Sequence, residues 1–106
     1  MWAVNGENLK MCEGDFGLAL PITIGGVTFA STDKVKLTIK DAVNGNEVLS
    51  KEFSEITDNT IILEFTAEES ALLSVGTYYY VLDWYQNNRF LCNIIPAAKL
   101  AVGDKA

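Results

Sequence analysis

From residue 16 to residue 95 the apolar positions recur with a period of two, the signature of half-buried strands. Phe16, Leu18, Leu20, Ile22 and Ile24 alternate with small or polar residues, and Pro21 in the outward set marks an edge or a bulge. Gly25-Gly26 ends that strand. Lys34 to Lys40 is a second strand, with Val35, Leu37 and Ile39 inward and the lysines and Thr38 outward. Asn44-Gly45-Asn46 then signals a hairpin through residues that tolerate positive φ. Glu47 to Phe53 is weakly patterned, as an edge strand would be. Asp58-Asn59 marks another turn, and Thr60 to Thr66 is a strand with Ile61, Leu63 and Phe65 on one side.

One helix of eight or nine residues is predicted next, capped by Thr66. Glu68 and Glu69 suit its first turn, Ala71, Leu72 and Leu73 form its apolar side, and Gly76 terminates it. The densest segment follows, Thr77 to Gln86. Tyr78, Tyr80, Leu82 and Trp84 share one face, with Trp84 a plug between sheets; Tyr79, Val81, Asp83 and Tyr85 share the other. Asn87-Asn88 turns the chain into Arg89 to Ile95, Pro96 interrupts pairing, and Lys99 to Val102 resumes it. The reading is an all-β sandwich or small barrel of about seven strands. It forms one domain over residues 1–106, with residues 1–7 and 103–106 frayed.

Composition narrows the chemistry. Of 106 residues, 49% are apolar and none is histidine, which removes the commonest general base and zinc ligand together. Fourteen acidic against eight basic side chains give a net charge of -6, which disfavours nucleic acid as a partner. Lys34, Lys36 and Lys40 share one strand face and are read as solvated charge. Cys12 and Cys92 could close a loop of about 80 residues worth roughly 4 kcal/mol. With no signal peptide and no bilayer-length apolar run, both are expected to be reduced, and no membrane insertion is expected. Glu68 and Glu69 point apart and serve the helix start, and Asp83 is expected to pair with Arg89 across the turn. No nucleophile elbow, phosphate loop or metal spacing is present. Catalytic, cofactor and metal residues are therefore expected to be none.

Gly76-Thr77-Tyr78-Tyr79-Tyr80 resembles the start of strand F in immunoglobulin-like domains. The resemblance implies a tyrosine corner, with the Tyr78 hydroxyl bonded to backbone near Ser70 or Ala71. Tyr80 stands where antibody domains have a cysteine, so the resemblance points to a disulfide-free, Ig-like β-sandwich of about seven antiparallel strands, its short helix in the E–F connection. A longer likeness joins "GDFGLALPITIGG", "FASTDKVKLTIKDAVNGNEVLSKEF" and "IILEFTAEESALLSVGTYYYVLDWYQNNRFLCNIIPAAKLAV". Over residues 8–102 these resemble the Ig-like domain that opens phage baseplate upper proteins, and related prophage tail-region domains of Gram-positive gut bacteria. That implies a structural component of a phage tail or virion, made in the bacterial cytoplasm.

Tyr79, Val81 and Tyr85 cannot share a core with Tyr80, Leu82 and Trp84 if the alternation holds. With Arg89, Leu91 and Asn93 they form a candidate interface, Leu91, Asn93 and Ile95 continuing the face on the next strand. The reading is a non-catalytic interaction module that self-associates or docks on a protein partner within a larger assembly. The alternative is a carbohydrate-binding or adhesin-type sandwich in which Tyr79, Tyr85 or Trp2 stacks on sugar rings.

Overall fold

The structure, a computed structural model, describes residues 2–26, 28–54 and 56–104. Its elements are β1 (Ala3–Asn5), β2 (Asn8–Cys12), β3 (Leu20–Thr23), β4 (Asp33–Lys40), β5 (Glu47–Ser54), β6 (Thr60–Leu63), α1 (Ala67–Ser70), β7 (Gly76–Gln86) and β8 (Arg89–Gly103). The chain is an all-β sandwich. A six-stranded sheet in the order β1-β2-β8-β7-β4-β5 is faced by a two-stranded sheet, β3-β6. The order β8-β7-β4-β5 against β3-β6 is the one immunoglobulin-type sandwiches use for strands G-F-C-C′ against B and E. The short helix lies in the connection from β6 to β7.

Alternation builds the core. Val35, Leu37 and Ile39 of β4, Tyr80 and Leu82 of β7, Ile95, Leu100 and Val102 of β8, and Leu9 and Met11 of β2 are buried on the inner face of the large sheet. Ile61, Leu63 and Phe65 close over them from the β6 side, with Ile24 beyond β3. β5 is an edge strand, and Pro21 stands exposed on β3, as the sequence predicts.

The structure corrects several expectations. The strand expected from Phe16 shortens to Leu20–Thr23. Gly17, at φ 71, turns the chain and donates to the Phe65 carbonyl at 2.9 Å, leaving Phe16 58% exposed and outside the core. The helix is one turn. Thr66 and Glu69 form a reciprocal capping box, but the turn ends at Ser70, and Gly76 opens β7 instead of closing the helix. Gly45 serves its hairpin by space: a Cβ there would lie 2.0 Å from Asp41 Oδ1, and its φ is not positive. Asn87 and Asn88 do both take positive φ, 52° and 63°, as a tight hairpin turn requires.

Of residues 1–7, expected to fray, residues 3–5 form a strand, and Met1 lies outside the described residues. Ala3–Asn5 pairs antiparallel with Asn8–Lys10 around Gly6. Residues 9–12 then run parallel to 100–103 of β8, so the large sheet is mixed rather than wholly antiparallel. Gly103 belongs to β8, while residues 105–106, also read as frayed, lie outside the described residues. β8 is continuous through Pro96, its pairing with β7 shifting register at three places. One of them, between the pairs Tyr80–Ala98 and Leu82–Ile95, spans Pro96, which has no N–H to give. Cys12 stands opposite Gly103 and Cys92 opposite Trp84, far apart along β8, and both thiols are free. Among the described residues no helix is long and apolar enough to cross a membrane.

The two faces of β7 give a direct test. Leu82 is fully buried, so Leu82→Ala should cost about 2–5 kcal/mol in denaturant unfolding. Val81→Ala, one residue earlier and outward, should cost about 1 kcal/mol or less.

Candidate functional site

The outer face of the large sheet is built by strand register. β4 and β7 pair Lys40 with Tyr79, Thr38 with Val81, Lys36 with Asp83 and Lys34 with Tyr85. On the other flank of β7, Lys99 stands beside Tyr79, Asn93 beside Asp83 and Phe90 beside Tyr85. Tyr79, Val81 and Tyr85 are thus brought onto one face and are half-buried among neighbouring side chains. Tyr79 lies between two lysines, whose alkyl stems can cover a ring while their ammonium groups stay in water.

Asn93 also lies on this face, and its amide donates to Asp83 Oδ1. Asp83 therefore takes its hydrogen bond from Asn93 and not from Arg89, which sits further on, opposite Gln86. Register shifts change the rest. The pairing skips Leu91, placing Phe90 against Tyr85 with ring centroids 5.9 Å apart, edge to face. It shifts again before Ile95, which pairs with Leu82 and is buried, so Ile95 does not continue the outer face. Phe90 is the residue that sequence reasoning missed. Phe90 is 56% exposed and Leu91 47%, and Arg89 is exposed beside them. The tip of the β7–β8 hairpin accordingly carries an aromatic pair, an aliphatic side chain and a cation. Beside it lies a cleft of about 200 Å³ lined by Lys34, Lys36, Glu52, Tyr85 and Asn88. Lys34 pairs with Glu52 at 3.3 Å, whereas Lys36 and Arg89 make no ion pair among the described residues.

Other aromatic residues are committed to structure. Tyr78 forms a corner, but its hydroxyl donates to the Ser74 carbonyl at 3.1 Å instead of to Ser70 or Ala71. Trp84 faces inward and meets Phe29 edge-on at 5.0 Å. Trp2 donates from Nε1 to the Leu18 carbonyl at 2.9 Å and leans on Phe65, so its ring is no free platform.

Lys51 also escaped the sequence reading. It points inward from the edge strand, opposite Leu37, and donates to Glu69 Oε1 at 2.8 Å and to the Glu64 carbonyl at 2.6 Å. Burial works to raise the Glu69 pKa, but Lys51 and the Thr66 backbone amide outweigh it and hold the carboxyl below its ordinary value. The pair thus adds stability above the ordinary carboxylate pKa, lost as pH falls through the lowered one.

A second cleft, of about 450 Å³, runs between β3 and the β1–β2 hairpin with Ile94 and Ile95 on its wall. Tyr80 reaches it, donating its hydroxyl to the Glu7 carbonyl. Among the described residues no group of three His, Cys, Asp or Glu side chains could hold a metal. Comparisons with protein-family models, curated proteins and solved structures find no match.

Burial, and then the nearby Glu7 carboxylate, push Tyr80 up to about 12. A phenol whose pKa is higher folded than unfolded leaves stability intact below the unfolded value of about 10 and erodes it as pH rises from there through 12. Tyrosinate absorbance should therefore show one group titrating near 12, absent in Tyr80→Phe. The same variant should lose about 1 kcal/mol at neutral pH with its hydrogen bond.

Proposed function

We propose that this chain is a non-catalytic interaction module of a phage or prophage tail or baseplate, held against a protein partner by the exposed tip of its β7–β8 hairpin. The observation that carries the docking reading is the group Tyr85, Phe90, Leu91 and Arg89, on a tip that nothing in the fold needs for its core. Aromatic residues and arginine are the side chains enriched at protein interfaces, and aromatic anchors supply most of the energy there. Tyr79, Val81 and Asn93 extend the same face inward but lie among lysines, which suits a rim better than a centre. The tail assignment rests on the sequence resemblance over residues 8–102. Sugar stacking draws no comparable support, because Trp2 is engaged and Tyr79 is flanked by Lys40 and Lys99.

A photo-crosslinking amino acid at position 91, in the protein assembled in its native particle, should give a covalent adduct with protein. The same group at Thr23, exposed on the small sheet, should give none. Absence of an adduct at position 91 removes the docking reading.

A further inference from the structure

The register of the large sheet places charge and apolar surface unequally at its two ends. At one end are the β4–β5 turn, α1 and the start of β7, because Lys40 pairs with Tyr79 and Gly76 with Val102. Val43, Leu72 and Val75 are exposed there at 51%, 54% and 48%, beside the exposed carboxylates Asp41, Glu47 and Glu68; Lys40 and Lys99, which flank Tyr79, and Lys10, opposite Ala101, are the cations at this end. At the other end, where Asp33 pairs with Gln86, stand Phe90, Leu91 and Tyr85 with Lys34, Lys36 and Arg89. Of the carboxylates on that side of the tip, Glu52 is paired with Lys34, Asp83 is held by Asn93 and Asp33 is buried; Asp58 lies at that end on the small-sheet side.

We propose that the occupant of the hairpin tip is the acidic end of a second copy of this chain, so that copies stack head to tail along the strand direction. This deepens the docking reading and rests on it. Two copies each carrying a net charge of -6 repel side by side, and the end-on arrangement is the one that sets Lys36 and Arg89 against Asp41 and Glu68. The shape gives the direction of stacking. The molecule measures 40 × 27 × 26 Å, and its eleven-residue central strand spans about 36 Å, so the strands follow the long axis. The end face then lies within a cross-section of 27 × 26 Å. Because the two contacting patches differ, the contact is heterologous and can repeat without closing.

The test uses two variants whose circular dichroism and thermal unfolding match the parent. Arg89→Glu with Phe90→Asp blocks the tip; Leu72→Lys with Val75→Lys blocks the acidic end. In light scattering up to about 1 mM, where contacts of this size are populated, the parent should rise past twice its 11.6 kDa mass while each variant stays monomeric. An equimolar mixture of the two variants should reach twice the monomer mass and stop, since each retains one working end. A parent that stays monomeric overturns the stacking; an adduct at position 91 to a different protein would then leave the docking reading standing. A parent that stops at two copies, with no mass gain on mixing the variants, shows a symmetric tip-to-tip contact and also overturns it.

Discussion

Strand β7 is the constraint on which the rest of the molecule depends. Eleven residues long and central in the large sheet, it pairs with β4 along one side and with β8 along the other. Side chains on a strand alternate strictly, so committing Tyr80 and Leu82 to the core commits Tyr79, Val81, Asp83 and Tyr85 to the opposite face. No register of β7 hides both sets. Burying the inner set is worth roughly 2 kcal/mol per side chain, while leaving a tyrosine half-covered among lysine stems sacrifices only part of that. The inner face therefore decides the register, and the outer face inherits what is left.

What is left is then graded along the strand by its neighbours. At the Gly76 end, Tyr79 has a lysine on each side and is half-buried. In the middle, Asp83 is held by Asn93. Only at the far end, where Phe90 replaces a polar neighbour and stacks edge-on against Tyr85, does apolar surface face water. The shift that brings Phe90 there is one extra residue, Leu91, which a bulge leaves unpaired and exposed. The hairpin tip is thus made by a local irregularity in β8 rather than by the regular pleat.

How far the sequence reveals this follows from the same physics. β7, β4 and their hairpin partners are readable because period two persists for eight residues or more and ends in turn residues. β1 and β2 are three and five residues long, and β2 finds its partner 91 positions away, in parallel, so no local pattern announces them. Phe16 and Leu18 satisfy the alternation yet stay outside the strand, because Gly17 breaks the pleat between them. Of the candidate interface, Tyr79, Val81 and Tyr85 are legible from alternation alone. Phe90 and the burial of Ile95 are not, since each shift in β8 inverts the expected face. The adjacent pair Ile94-Ile95 before Pro96 is the signal that could have marked the break, because a regular half-buried strand places an apolar and a polar residue in succession.

Three of the strand edges are built against strand addition. Ile24 donates to the Asn59 carbonyl at 2.8 Å, which fixes the parity of the β3–β6 ladder. Pro21 and Thr23 then direct their backbone groups away from β6, toward the open side of β3. Pro21 has no N–H to offer there, so that edge lacks a donor at its centre. On the large sheet, β1 is only three residues long, and β5 turns Lys51 inward to Glu69, a charge that an added strand would have to cover. The β1, β3 and β5 edges thus each carry a deterrent to strand addition. The hairpin tip and the opposite acidic end carry none, and between them they expose five large apolar side chains.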